Sequence, residues 1–464
     1  MHESLTGPPG AWRPLTRLAK LARRPLERFL RVEASSGLLL LGVAAFALVW
    51  ANSPWAASYF RFWHTQLGFR VGAFVFERNL EWFVNDGLMV IFFFVVGLEI
   101  RRELHHGELS EWRRAALPFA AALGGMIAPA LLYLSIAGSG RTHSGWGVPM
   151  ATDIAFALGV LTLLGHRVPP ALRVMLLALA VIDDLGAVAV IALFYSSGVA
   201  WPGVLTAIGG VAGIIGLQAF GVRRRSVYVI PGIVVWAGTY ASGVHPTIAG
   251  VVVGMLTPVQ VWLGTEGFVR RVRSNIDAIA QAPRGSAPSR PVNKALRDIS
   301  VARREALSPA EGLIDLLHPW VAYLIMPIFA LANAGVALKG VSFDPTTTKL
   351  VVAVGIGLVI GKPLGIVLAC QVTLGLRLSA LPRGITLRHL IVLGAIAGVG
   401  FTMALFVAQL AFDDARLLNA AKLGVLLASG VAGILGLAIG RAVLGRTAVG
   451  AARTADEAEA STET

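Results

Sequence analysis

The stretch LALAVIDDLGAVAVIALF, residues 177–194, sets two adjacent carboxylates, Asp183 and Asp184, near the middle of an apolar run long enough to cross a bilayer. A charge at the centre of a spanning helix costs about 2.5 to 3.5 kcal/mol on insertion scales, so an ionised, unpaired pair would cost on the order of 5 to 7 kcal/mol. Leu or Ala would fill the same space, so packing does not account for the pair. A structural ion pair between helices is the plain alternative. It suits a lone buried aspartate better than two in a row.

Working outward, the whole chain has the same character. Of its 464 residues 56% are hydrophobic and 14% charged, and the mean hydropathy is +0.71. Twelve apolar segments recur, at 35–52, 82–100, 115–137, 148–165, 169–195, 203–221, 226–241, 245–263, 316–338, 349–372, 388–410 and 417–442. Helices are expected throughout, because open strands cannot satisfy their backbone in lipid, and the period-2 alternation of a barrel is absent. The fold class read from this is an all-α polytopic membrane protein with twelve transmembrane helices. The lone Cys370 excludes a disulfide framework and a CxxC motif. Residues 1–34 are too long and too charged for the start of a signal peptide.

Charge gives the orientation. With both termini on one side, 31 of the 40 basic residues fall on that side and eight on the other, while Lys362 is set apart inside a segment. The basic side is expected to face the cytoplasm. That asymmetry absorbs most of the +14 net charge, which removes nucleic acid as a partner. The organisation expected is a basic N-terminal arm (1–34) lying on anionic lipid, a twelve-helix domain (35–442) and a disordered cytoplasmic tail (443–464). Residues 264–314 read as a charged, mobile cytoplasmic loop, and FRVGAFVFER in the outer loop 53–80 as a short hairpin.

Ionisable residues inside segments or at their margins are Asp86, Glu99, Asp153, Asp183, Asp184, His245 and Lys362. Adjacent helical residues point about 100° apart, so one of Asp183 and Asp184 can meet a positive partner while the other faces a cavity. Lys362, in GLVIGKPLGIVLA, is the natural partner. Two close carboxylates cannot both ionise easily in low dielectric, so such a site can hold a proton near neutral pH. It also offers hard oxygen ligands to a small cation such as sodium. Exchange of protons for sodium follows as the sharp hypothesis.

Thr152 and Asp153 follow Pro149 in a short segment, and Gly394, Gly398 and Gly400 crowd segment 11. Both patterns suit discontinuous membrane helices, with Asp153 complementing half-helix N-termini and Lys362 the C-terminal ends. Ordinary glycine packing between helices remains the alternative for segment 11. For His245 the plain reading is a satisfied interfacial residue, with pH sensing as the alternative. Asp86 reads as a cap of segment 2, and Glu99 as a partner of Arg101 or Arg102.

These stretches, together with NDGLMVIFFFVVGLEIRREL, SGVHPTIAGVVVG and HPWVAYLIMPIFALANAG, lie in one order over residues 81–410. In that order the sequence resembles the bacterial NhaA-type sodium/proton antiporters. The resemblance implies inverted-topology repeats (about 115–195 and 349–442) and two broken, crossing helices, segments 4 and 11. It implies panel helices (about 35–100 and 203–338) that hold a homodimer, with the hairpin near 69–78 adding to the contact. Asp184 would be the main cation- and proton-binding carboxylate, Asp183 would pair with Lys362, and Thr152 and Asp153 would sit where the broken helices cross. Na+, Li+ and H+ would be transported substrates, with no cofactor, electrogenically, across the bacterial inner membrane. Glu99, Glu103, His245 and His318 are the residues implied for a pH response. A departure lies just before HPW, where Ile314 and Asp315 stand in place of the family's usual Glu-His pair.

A channel would share a polar midplane but needs no obligatory proton exchange. A proton-coupled symporter for an organic solute needs more donors than surround Asp184. An intramembrane enzyme lacks its motif: VIDDLG has no carboxylates four apart for magnesium, and no GxGD occurs.

Overall fold

A computed structural model of the chain describes residues 34–460 except 73, 197, 223–224, 262, 282–289, 307, 339–343 and 383. The basic arm expected at 1–34 therefore lies outside the described residues but for its last position. Among the described residues, seven helices are long and apolar enough to cross a membrane: Leu80–His105, Arg114–Ala137, Pro170–Phe194, Trp201–Ala219, Pro309–Asn333, Pro345–Gly375 and Ala415–Leu444. Three helix pairs pass the same test but bend sharply at a short break. They are Ser36–Asn52 with Ala56–Trp63 (113°), His143–Met150 with Ile154–Leu163 (41°), and Leu387–Ala397 with Phe401–Ala411 (51°). Two shorter apolar helices, Ser226–Ala241 and Thr247–Leu256, complete the set. The chain is mostly helical, and each predicted apolar segment coincides with a helix or a bent pair.

Local chemistry sets many of the boundaries. Asn79 caps the helix that begins at Leu80, its side chain accepting from Trp82 N at 2.9 Å. That helix therefore starts earlier than predicted, and Asp86 lies within it rather than capping it. Ser308 and Glu311 form a reciprocal capping box ahead of Pro309, and Asp344 and Thr347 do the same ahead of Pro345. Wide π turns interrupt long helices at Val321–Ile325 and Gly357–Gly361, just before Pro327 and Pro363. A proline removes an N–H and crowds the carbonyl four residues back, so the preceding turn must loosen.

Three expectations need amending. Segment 8 was expected to reach 263 but its helix stops at Leu256, because Thr257 precedes Pro258 and adopts extended backbone (φ −69°, ψ 131°). The 264–314 stretch is not a plain loop: it holds Thr265–Ala280 and Arg290–Ala306, two amphipathic helices packed on each other, before Pro309–Trp320 begins. The final helix is continuous from Ala415 to Ala460, covering most of the stretch expected to be a tail. The outer hairpin is present. Strands β1 (Gln66–Val71) and β2 (Phe74–Asn79) pair antiparallel from Gln66↔Asn79 to Val71↔Phe74.

The core that positions the candidate site is the packing of Trp112–Ala137 against Lys362–Gly375. Gly124 and Gly365 lie back to back there, so that a Cβ on either would strike the other's carbonyl oxygen. This approach sinks Lys362 completely, and it ranks among the largest fully buried side chains of the protein.

Candidate functional site

The two interrupted pairs meet at their breaks. Asp153 N donates to Val399 O at 2.8 Å, and Thr152 Oγ1 to Ala397 O at 3.2 Å. Each bond takes a donor from one break to a carbonyl freed at the other. Gly398 and Gly400 let the backbones come this close: a Cβ on Gly398 would lie 2.6 Å from Leu358 O, and one on Gly400 2.9 Å from Ala151 O. Gly394 faces Pro363 in the same manner, with its Cβ position 2.9 Å from Pro363 Cα.

Asp153 serves two helix starts at once. It is the N-cap of Ile154–Leu163, accepting from Phe156 N at 2.9 Å, and its other oxygen accepts from Thr402 N at 3.1 Å and from the Thr402 hydroxyl. Helix N-termini carry partial positive charge and unsatisfied N–H groups, so one carboxylate between two of them is well compensated. Ser429 Oγ satisfies a neighbouring donor, Phe401 N, at 2.9 Å. Lys362 stands at the opposite pole. Its Nζ reaches the carbonyl of Met150, where His143–Met150 ends, and lies 2.8 Å from Asp183 Oδ2. An ammonium at a helix C-terminus complements the dipole in the same sense.

Asp183 and Asp184 face different surroundings. Asp183 meets Lys362, while Asp184 lines a cavity of about 1080 Å³ together with Asp153, Glu99, Glu103, His318 and Met403. Both aspartates are 1–2% exposed, and one oxygen of each, Asp183 Oδ1 and Asp184 Oδ2, is a buried acceptor without a hydrogen bond. Buried polar atoms are nearly always satisfied, so two free carboxylate oxygens on adjacent residues mark a place for a proton or a cation. The same cavity extends past Arg102 and Arg114 to the turn at Gly107, on the side carrying the basic loops.

This chain matches the family model described as Na+/H+ antiporter 1 over residues 27–439. It belongs to that family. Its relatives include the Na(+)/H(+) antiporter NhaA 2 of Myxococcus xanthus (strain DK1622), 62% identical over 456 residues covering 98% of this chain and 97% of that protein. Another is the Na(+)/H(+) antiporter NhaA 2 of Sorangium cellulosum (strain So ce56), 56% identical over 458 residues and 98% of each chain. The Na(+)/H(+) antiporter NhaA of Bordetella petrii is 48% identical over 458 residues, 95% of each chain. The resemblance read from the motifs stands, and the chain is a multi-pass membrane protein.

In the structure the predicted site residues lie in three places. Thr152, Asp153, Asp183, Asp184, Lys362 and the three glycines gather at the breaks, and Glu99, Glu103 and His318 line the cavity leading to them. Glu99 was expected to pair with Arg101 or Arg102; the ion pair found is Arg102–Glu103 at 3.4 Å, and Glu99 turns to the cavity because it lies on the face of its helix shared with Phe92 and Val96. His245 is elsewhere. Its Nε2 lies 3.4 Å from Asp86 Oδ1 and its Nδ1 2.7 Å from Thr247 Oγ1, a satisfied environment. Sequence reasoning missed Thr402, although a hydroxyl just after a glycine-rich break was a usable signal. It also passed over Lys422, inside the segment 417–442, whose side chain is 7% exposed.

Proposed function

We propose that this protein is a secondary active transporter that exchanges cytoplasmic Na+, and also Li+, for external protons across the bacterial inner membrane. The observation that carries the reading is the pair of free oxygens on Asp183 and Asp184, with Asp184 at the inner end of the cavity and Asp183 held by Lys362. Family membership names the ions; the site suggests how they compete. A sodium ion arriving through the cavity takes Asp184 oxygens that a proton otherwise occupies. Its charge also draws Asp183 away from Lys362, and the released groups exchange a second proton. Two carboxylates and one ammonium thus offer more than one proton against one monovalent cation, which makes the cycle electrogenic. The membrane potential then contributes about 2.3 kcal/mol per net charge per 100 mV.

The same reading counts the seven long helices, three bent pairs and two short helices as twelve spans, with both termini cytoplasmic and residues about 115–195 and 349–442 as inverted repeats. The breaks at 151–153 and 398–400 are two broken spans crossing at mid-membrane, with Thr152 and Asp153 in the ion path. The hairpin at 66–79 contributes to a homodimer, and Glu99, Glu103 and His318 at the cavity mouth give the exchange its pH dependence, with His245 acting from the far side. Ile314, which lines the cavity, and Asp315 replace the usual Glu-His pair, so the pH threshold is this chain's own.

The test is proton movement in everted vesicles carrying a preset pH gradient, with sodium, lithium and then potassium added across a range of external pH. Dequenching by sodium and lithium but not potassium, abolished in Asp184→Asn with insertion intact, supports the exchange. Normal exchange in Asp184→Asn overturns the site, and sodium flux without a proton gradient turns the reading into a channel.

A further inference from the structure

On the side of the candidate site away from the basic loops, a second buried polar cluster joins three segments. Helix Phe401–Ala411 carries Thr402, Phe406 and Gln409 at i, i+4 and i+7, which places them on one face in ascending order. Thr402 bonds Asp153. One turn on, the Phe406 ring packs with Phe93 (5.5 Å between centroids), His245 (5.4 Å) and Phe329 (6.1 Å). At the next turn, Gln409 Nε2 donates to Glu81 Oε1 at 3.0 Å and to Asn333 Oδ1. Asn333 Nδ2 in turn donates to Asn85 Oδ1 at 2.9 Å and to Phe329 O at 3.0 Å. Asn333 is fully buried, and the buried Lys422 interacts electrostatically with Glu81.

The placement of these bonds matters more than their number. Glu81 and Asn85 belong to Leu80–His105 and Asn333 to Pro309–Asn333, whereas Gln409 belongs to the second arm of an interrupted pair. The seam therefore runs between helices of the proposed panel and a half-helix of the proposed moving core. Met403, on the same half-helix, lines the cavity with Asp184, so the Phe406 ring cluster and the Gln409 cluster stand in sequence beyond the cavity's inner end. Interhelical hydrogen bonds in membranes are individually weak, because the separated helices also find partners for their polar groups. A few of them together hold one state in the majority yet release it to a modest differential interaction, the scale on which two-state elements switch. An all-apolar seam would fill the space without such a discrete set of bonds.

We propose that Glu81, Asn85, Asn333 and Gln409 form an outer latch, a hydrogen-bonded cluster that holds the Phe401–Ala411 half-helix against the panel while the site faces the basic side. Releasing the latch lets that half-helix carry Phe406 out of its ring cluster and opens Asp184 to the far side. The latch rests on the antiporter reading above and deepens it, since it names the contacts that one half of the cycle must break.

The experiment uses the full chain with Cys370→Ser, which leaves no native thiol, and Met403→Cys as the reporter. A charged, membrane-impermeant methanethiosulfonate is applied to everted and to right-side-out vesicles, and the labelling rate is read from each face. With the latch intact, Met403→Cys labels from the face bearing the basic loops. Gln409→Ala, which removes two bonds, raises labelling from the opposite face by about fivefold or more, and Glu81→Ala, which removes one, by about threefold. Glu81→Gln keeps an acceptor for Gln409 Nε2 and gives up only the charge that faces Lys422, so its far-side labelling stays below that of Glu81→Ala. Unchanged far-side labelling in both alanine variants overturns the latch, as does a Glu81→Gln shift equal to that of Glu81→Ala. If Gln409→Ala is not recovered folded, Glu81→Ala on the facing helix decides alone. Absence of sodium-dependent proton movement in the unsubstituted chain would sink the antiporter reading while leaving the labelling result to stand by itself; intact movement in that chain with no labelling shift in the latch variants sinks the latch alone.

Discussion

Lys362 Nζ lies 2.8 Å from Asp183 Oδ2 and also reaches the Met150 carbonyl, and the two side chains are 0% and 1% exposed. Desolvating both charges is costly, so the pair is weak evidence for stability. Removing one partner is another matter.

Lys362→Ala leaves a buried carboxylate uncompensated and is expected to lose about 3 to 5 kcal/mol. Lys362→Ala with Asp183→Asn, which removes both charges, recovers most of that loss. Thermal unfolding of the detergent-solubilised protein reads both effects, and equal destabilisation of single and double variants would contradict this account.

Thr402→Val deletes the hydroxyl that bonds Asp153 but keeps the backbone donors of Phe156 and Thr402. The carboxylate remains capped on both helix starts, so the expected stability loss is about 1 to 3 kcal/mol. Asp153→Ala removes the acceptor shared by both half-helices and should destabilise more than Thr402→Val. A ranking of midpoints in the opposite order would argue against the shared cap.

Glycine substitutions separate close approach from mere flexibility. A Cβ on Gly398 would sit 2.6 Å from the Leu358 carbonyl oxygen, whereas nothing lies within 4 Å of one on Gly430. Gly398→Ala must push backbone apart at the break and is expected to cost about 1 to 3 kcal/mol. Gly430→Ala, in a helix interior, should be neutral or stabilising by about 0.5 to 1 kcal/mol. Comparable losses at both positions would mean that the break tolerates more movement than its geometry suggests.

Asp344 caps Pro345–Ile356, and the Thr347 backbone N–H, with help from Arg416 at 2.8 Å, holds its carboxyl below the usual carboxylate range. A depressed folded value means stability that is present above the unfolded aspartate pKa of about 3.9 and is lost as pH falls through the folded value. Asp344→Asn keeps an oxygen for the cap and removes the charge. Its melting point should fall below the parent's at neutral pH, and the gap should close on acidification. A gap independent of pH would assign the effect to the cap alone.

Much of this protein was legible in the chain. The apolar runs located the apolar helices, because lipid demands long, self-satisfied backbone, and the ionisable residues inside them stood out against that background. Asp183, Asp184, Lys362 and Asp153 were found because charge in lipid is expensive. Glu81, Asn85, Asn333 and Gln409 were passed over because an amide or a marginal carboxylate costs little to place near a helix end, so composition gives no warning of it. The helix stop at Leu256 was readable from Thr257–Pro258 and was overrun by hydropathy; the helices at 265–280 and 290–306 were hidden by their charge.

Sequence by itself determined that the chain crosses a membrane many times, that Asp153, Asp183, Asp184 and Lys362 lie within it, and which family it belongs to. Tertiary structure alone decided which carboxylate meets the lysine and which meets the cavity. Asp183 and Asp184 are chemically identical neighbours on one helix, and only the backbone approach of Gly124 and Gly365, which delivers Lys362 to one side of that helix, makes them different. The junction of the two breaks is likewise a matter of space. Asp153 caps a helix some 250 residues away in the chain, and no local pattern encodes a bond whose partner is supplied by the fold.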